Sequence, residues 1–331
     1  MSDSLFAFAL AVGFSYIYAF VGGFTDAANA IATSVGTKVL RPRTAVIMAG
    51  IFNLLGGLTG TAVAVTIASG IVDPSVLNLG TVVAAVAGAM TWSLITYFFG
   101  IPVSETHGLI GGLIGAGAAT AGWDVVEWDS VRQVIAAIGA SPVVGFLGGV
   151  IMIVAVYWAF RRANRGRVMP LFTNLQRASA AFMAFSHGRN DAQKPMGILA
   201  LAIALYYNRD VTVPLWIVVS CATVAAFGTA WGGWRIIRTL GMRITDLDPV
   251  QGFAAEFAGA GVLQVASQFG IPVSTTHTIT SSILGVGAAR RLSAVRWGLT
   301  SQIFMSWLLT LPATLAAGAL YVMLLRLLLP G

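Results

Sequence analysis

Apolar residues in this chain come in long runs rather than in the stripes of a surface helix. Six runs, over 4–21, 44–71, 79–99, 131–160, 211–231 and 297–329, reach or approach the length needed to cross a bilayer. A hydrocarbon core about 30 Å thick takes about 20 residues at 1.5 Å each. Five more stretches, over 22–37, 102–121, 186–207, 252–269 and 272–289, are apolar but interrupted by Gly, Pro or polar side chains. The pattern predicts an all-α polytopic membrane protein with several broken helices. The first run follows Met1-Ser2-Asp3-Ser4, which has no basic n-region, and no clean small-x-small site precedes Asp26. It is therefore expected to be a first span rather than a secretory signal.

Composition sharpens this reading. Of 331 residues, 57% are apolar and 9% charged, and mean hydropathy is +0.84. A soluble surface needs about 25% charge, so a soluble enzyme and a disordered chain are excluded. The net charge of +7 does not point to nucleic acid, because the basic residues sit in short connections between apolar runs. Lys38/Arg41/Arg43, Arg161/Arg162/Arg165/Arg167, Arg235/Arg238/Arg243 and Arg290/Arg291/Arg296 hold 13 of the 19 basic residues. The connections between them carry Asp73, Asp124/Glu127/Asp129 with Arg132, and Arg209/Asp210. Basic loops face the cytoplasm, which orients both termini outside. The Arg161–Arg167 run reads as a cytoplasmic loop, with contact to anionic lipid as the alternative. The one cysteine, Cys221, lies in an apolar run and reads as packing.

The chain repeats itself. Gly100-Ile-Pro-Val-Ser-Glu-Thr-His107 returns as Gly270-Ile-Pro-Val-Ser-Thr-Thr-His277, and 11 of the 20 positions from each glycine are identical. A weaker pair sets Gly23-Phe-Thr-Asp26-Ala-Ala-Asn29 against Gly188-Arg-Asn-Asp191-Ala-Gln-Lys194. Two homologous halves follow, 1–160 and 161–331. The first begins outside and ends at the inner Arg161 loop, and the second begins inside, so the repeats are inverted. Inverted repeats with broken helices are the signature of secondary transporters, with the site at the repeat interface. The uncharged Gly-Ile-Pro turns imply two re-entrant helical hairpins, over about 100–120 and 270–289, with tips buried in protein. Ordinary span pairs with tight apolar turns are the alternative.

Ionisable residues inside apolar spans are costly and therefore functional candidates. They are Asp26, Glu105, Arg189, Asp191, Lys194 and Glu256, with His107, His187 and His277 nearby. Each hairpin tip offers Pro and then hydroxyls at a helix start: Ser104 and Thr106 in one, Ser274, Thr275 and Thr276 in the other. Unpaired first-turn N–H groups there attract oxyanions, and two converging tips suit a tetrahedral anion. Asp26 and Asp191 would repel that anion, so they require cations, as an oxygen-rich Na⁺ site or as protonated carboxyls. One HPO₄²⁻ with two carboxylates and Lys194 leaves two or three charges to be met by co-bound cations, because uncompensated buried charge is costly. Cation-coupled symport follows. His107 and His277 are expected to anchor the hairpins. Glu105, where the second repeat has Thr, is a cation or proton ligand or a partner of Lys194 or Arg189. Glu256, on the helix before the second hairpin, is a further coupling candidate.

These motifs resemble the inorganic phosphate transporter (Pit/PiT) family. Gly22-Gly-Phe-Thr-Asp-Ala-Ala-Asn-Ala resembles its G-x-x-D-x-A-N-A signature, Ser186-His-Gly-Arg-Asn-Asp-Ala-Gln-Lys194 its bacterial S-H-G-x-N-D-x-Q-K, and both P-V-S-x-T-H motifs match. The resemblance spans both halves. It implies a low-affinity phosphate symporter driven by H⁺ or Na⁺, with metal–phosphate as cargo in some members and sulfate in one branch. Carried over by motif, Asp26, Asn29, Asn190 and Asp191 line the central site with the hairpin hydroxyls. Three positions depart from the pattern: Lys194 where the first half has Asn29, Glu105 where Ser or Thr is common, and Pro195 in place of Thr. The absence of a long central loop suits a prokaryotic inner-membrane protein. No cofactor is expected beyond co-transported Na⁺ or H⁺. The partners are inorganic phosphate, a monovalent cation and the lipid bilayer, and a homodimer is left open.

Two other classes are weighed. An intramembrane hydrolase could use Ser104 or Ser274 with His107 or His277, but it also needs an oriented base and a water path, and symmetric duplication suits a two-sided site better. A passive anion channel is opposed by the intramembrane carboxylates.

Overall fold

The computed structural model describes residues 5–328. The expected outside placement of both termini falls on residues outside that range. Of the described residues most are helical, and the single β-bridge joins Val72 to Val126.

The first half holds α1 (Leu5–Gly36), α2 (Pro42–Gly57), α3 (Ala62–Ser69), α4 (Leu79–Phe99), α5 (Glu105–Ala121) and α6 (Trp128–Ala159). The second holds α7 (Arg165–Asp191), α8 (Gln193–Tyr207), α9 (Leu215–Trp231), α10 (Trp234–Arg238), α11 (Pro249–Gln268), α12 (Thr275–Arg290) and α13 (Trp297–Leu328). Among the described residues four helices, α1, α4, α6 and α13, are long and apolar enough to cross a membrane. The number rises to six when two bent pairs each count as one span: α2–α3, bent by 74°, and α9 with 234–243, bent by 57°. The protein is thus a multi-pass helical membrane protein, as the apolar runs predict.

Several structural features recur 170 residues apart. The interval between Gly100 and Gly270 is also that between Pro142 in α6 and Pro312 in α13, both inside helices of 32 residues. Each hairpin turns on a glycine in the left-handed region, at φ +68° and +66°, where a side chain would be strained. Around each glycine the helix closes in the same way. Ile101 N–H donates to Thr96 O and Gly100 N–H to Tyr97 O, while Ile271 N–H donates to Ala266 O and Gly270 N–H to Ser267 O. These paired bonds satisfy the last carbonyls of a helix.

The start of α1 and the end of α8 lie side by side. Phe8 near the start of α1 stacks on Tyr206 at the end of α8, with ring centroids 4.2 Å apart. The acidic connections gather at that end. Asp73 N–H donates to Val125 O at 2.9 Å, and Asp73 shares a cleft with Arg209 and Asp210. The basic connections gather elsewhere: Arg296 N–H donates to Ile244 O, and Arg161, Arg165 and Arg290 line one groove. Thr81 and Thr120 hydroxyls pair at 2.9 Å, closing the α4–α5 hairpin at its acidic end.

α5 packs on α13, and α12 on α6, along seams of small residues. A methyl at Gly115 would lie 2.0 Å from Leu315 O, and one at Gly285 2.2 Å from Phe146 O. Only hydrogen fits at either place. Each hairpin tip is also held by the bent span of the other half: Thr239 donates to Gly100 O (2.8 Å) and Thr66 to Gly270 O (3.0 Å).

Three expectations are corrected. The run over 44–71 is a bent pair, broken between Gly57 and Ala62 where Gly-Leu-Thr-Gly-Thr halts the helix. The stretch over 22–37 is uninterrupted within α1; its glycines give contact instead of a break, since a methyl at Gly23 would lie 2.1 Å from Ala225 O. Arg235, Arg238 and Arg243 lie on α10 and the helical turn after it rather than in an open loop.

Candidate functional site

The two hairpin tips meet inside the protein. Thr106 Oγ1 donates to Val273 O at 3.1 Å, and the imidazoles of His107 and His277 lie edge to face with centroids 4.4 Å apart. Trp307 on α13 stacks on His277 at 3.8 Å and donates its Nε1–H to Pro102 O at 3.0 Å. The histidines therefore anchor the tips to one another. Ser104 and Ser274 act as helix caps, their Oγ accepting from His107 N–H (3.2 Å) and His277 N–H (3.1 Å). Capping fixes where each helix starts. It leaves the N–H groups of Glu105/Thr106 and Thr275/Thr276 ahead of the first intrahelical bond, at the positive end of the dipole.

Around these tips lie Asp26 and Asn29, in the last third of α1, and Asn190, Asp191 and Lys194, where α7 gives way to α8 at Ala192. Thr275 donates to Asp191 Oδ2 (3.1 Å), and Thr276 to Asp26 Oδ1 (3.3 Å). Asn29 Nδ2 donates to both threonines, at 3.3 and 2.9 Å. Asn190 Nδ2 donates to Asp191 Oδ1 (2.8 Å) and Val273 O (3.2 Å). Lys194 Nζ meets Asp191 Oδ1 at 3.0 Å. The second hairpin thus bridges two aspartates from opposite halves. All these side chains are buried except that of Asp191, which is 12% exposed.

Glu105 breaks the symmetry for a physical reason. By the repeat it stands where Thr275 stands, so its oxygen would face Asp26, and two carboxylates cannot share a hydrogen bond without a proton. It turns instead to Thr25 Oγ1, which donates at 2.8 Å, and to Ser93 Oγ. It forms no ion pair with Lys194 or Arg189. Glu256 lies apart from the aspartates. It accepts from Thr33, Ser179 and Gln176 Nε2 (the last at 3.3 Å) in a cluster between α1, α7 and α11. Thr33 is about 10 Å along α1 from Asp26 at 1.5 Å per residue.

A chain of amide and imidazole groups leads to Asp191. Thr229 donates to Ala225 O and accepts from Asn53 Nδ2 (3.0 Å), so Asn53 Oδ1 faces His187 Nδ1 at 2.8 Å. Nδ1 then carries the hydrogen, and Nε2 turns a lone pair toward Asp191 Oδ2 at 3.2 Å. A positive charge between them, a proton or a metal cation, satisfies both atoms. Ligand atoms of Asp26, His187 and Asp191 lie within 4.8 Å of one another. Asp26 Oδ2 and Asn29 Oδ1 are buried acceptors without a donor. A cavity of about 20 Å³ borders Asp26, Glu105, His187, Asp191 and Lys194, room for a water-sized occupant. At an effective dielectric of about 20, two carboxylates no more than 4.8 Å apart repel by at least about 3.5 kcal/mol. Lys194 is the one Lys or Arg bordering the cavity among the described residues.

Sequence reasoning missed Thr25, Ser93, Asn53, Thr229, Gln176 and Ser179. Asn53 was visible as a lone amide in an apolar run and Gln176 as one in a stretch not read as a span. The hydroxyls carry no signal, since Ser and Thr commonly bond their own helix backbone.

The sequence pattern described as "Phosphate transporter family" matches residues 22–318. The chain is 46% identical over 324 residues to a "Probable low-affinity inorganic phosphate transporter" of Rhizobium meliloti (strain 1021), covering 96% of this chain and 97% of the relative. It is 42% identical to a protein of the same description from Bacillus subtilis (strain 168), covering 91% and 92%. Among solved structures it is similar to "The sodium-dependent phosphate transporter", with a TM-score of 0.89 at 26% identity, covering 98% of this chain and 100% of that one.

Proposed function

The chain belongs to the phosphate transporter family, and from that premise we propose that it imports inorganic phosphate by cation symport through alternating access. The observation that carries this reading is the pair of aspartates, Asp26 buried and Asp191 nearly so, whose ligand atoms lie within 4.8 Å, faced by a single ammonium. An anion cannot join that cluster unless cations come with it. Residues 1–160 and 161–331 act as inverted repeats, and the features that recur between them, the matching hairpins above all, support this. Asp26 and Asp191, with Asn29 Oδ1, hold the coupling cation. Their oxygen-rich surroundings suit Na⁺, and the sodium dependence of the structural relative supports the same ion. H⁺ on a carboxyl or at the His187–Asp191 contact is the alternative form of the same coupling.

Phosphate is held by Lys194, by the hydroxyls and amides of Asn29, Asn190, Thr106, Thr275 and Thr276, and by the first-turn N–H groups that Ser104 and Ser274 position. Glu105 and Glu256 bear on the coupling cation. Alternating access comes from exchange of the interhelical bonds at the two tips. The chain resides in a prokaryotic inner membrane with its basic end inside.

Uptake of radiolabelled phosphate into proteoliposomes, with Na⁺ and H⁺ gradients imposed separately, tests the reading. Gradient-dependent accumulation displaced by phosphate and arsenate but not by sulfate is expected. Phosphate-insensitive uptake, or uptake displaced by sulfate alone, overturns it.

A further inference from the structure

The basic end of the bundle carries a groove bordered by none of the residues assigned to the transport site. It has a volume of about 340 Å³ and lies between the end of α6, the start of α7, the start of α11 and the end of α12. The fold brings two separate basic clusters into it, Arg161 and Arg165 from one and Arg290 from the other. Among the described residues none of the three has a carboxylate within ion-pairing distance. The acid that borders the groove, Asp248, caps α11, its Oδ1 accepting from Gln251 N–H at 3.0 Å. The other wall is apolar, with Tyr157 and Phe160 among its residues. Just outside it Trp158 is 68% exposed, and the Arg161 guanidinium stands over its ring at 5.0 Å. Exposed aromatics at helix ends mark the depth where headgroups meet acyl chains.

We propose that this groove binds the phosphodiester headgroup of an anionic phospholipid. Unpaired guanidiniums on one side match phosphate oxygens bidentately, and the apolar wall beside them receives the glycerol and the first methylenes. Basic pockets between membrane helices hold acidic headgroups in this way. Free phosphate would use the three arginines but not the apolar wall, which is why the groove is assigned to lipid.

The test uses the full chain in nanodiscs of phosphatidylcholine with a minor fraction of phosphatidylglycerol. Retained lipid is counted by native mass spectrometry, and thermal midpoints are measured alongside. Wild-type protein is expected to retain phosphatidylglycerol over phosphatidylcholine and to melt higher in its presence. The R161Q/R165Q/R290Q variant is expected to bind it roughly a hundredfold more weakly. R290Q alone, the milder variant, shows an intermediate loss, and R296Q, outside the groove, none. Equal retention of both lipids, unchanged retention in the triple variant, an equal loss in R296Q, or displacement by millimolar inorganic phosphate would each overturn the proposal.

Discussion

At the scale of single residues, the site is an arrangement of charge that does not balance. Asp26 and Asp191 face one another with Lys194 bound to only one of them. Asp26→Asn or Asp191→Asn is expected to abolish cation-driven phosphate uptake while the protein still inserts, as read by uptake alongside membrane-fraction yield. Lys194→Met removes the one compensating charge. Breaking a buried ion pair costs about 3–5 kcal/mol, so its thermal midpoint in detergent should fall clearly below wild type. Saturating Na⁺ should restore part of the loss if the cation occupies the aspartate site. These ionisable residues were legible in the sequence because charge inside an apolar run is rare. Their hydroxyl partners were not: Thr25 and Ser93 both bond Glu105, yet in the sequence they look like any other small polar residue in a membrane helix. The place of Ser104 and Ser274 at a helix start was legible; that their Oγ caps the backbone was not, because the same Ser there can serve either the backbone or a ligand.

At the scale of elements, the hairpins depend on close backbone approach. Gly115 and Gly285 occupy equivalent places where α5 meets α13 and α12 meets α6, and a methyl at either would fall within 2.2 Å of a carbonyl oxygen. Gly115→Val and Gly285→Val are therefore each expected to reduce the yield of folded protein, measured as monodisperse material on size-exclusion chromatography. Gly139→Ala, whose methyl would meet open space, should not. The hairpins could be read in advance because Gly-Ile-Pro-Val-Ser is duplicated and uncharged. The bend in 44–71 could not be foreseen from hydropathy, since α2, its break and α3 are all apolar enough to pass as one span. Nor could the continuity of α1 be foreseen through Gly22 and Gly23, where the helix is preserved by packing against α9 and not by propensity.

At the scale of the whole molecule, the charged connections separate into an acidic end and a basic end, which is the basis of the proposed orientation. With Cys221 replaced by Ala, a cysteine at Asp124 is expected to react with an impermeant maleimide added to intact cells. One at Arg291 should react only after permeabilisation; the reverse pattern would invert the proposed orientation. The alternation of basic and neutral loops was readable in the sequence, and it carries the proposed inversion of the halves. The packing of α5 on α13 and of α12 on α6 was not, because it depends on which small residues face one another across the repeat. The central claim is that phosphate enters a carboxylate-lined site only together with cations. Binding of this kind is reciprocal: a cation that tightens phosphate is itself tightened by it. The most direct test is the affinity of purified protein for radiolabelled phosphate, measured against Na⁺ concentration at fixed pH and against pH without Na⁺. The account predicts that phosphate binds more tightly as one of these cations rises, and that Asp26→Asn flattens the dependence. A phosphate affinity in the wild type that is indifferent to both would contradict it.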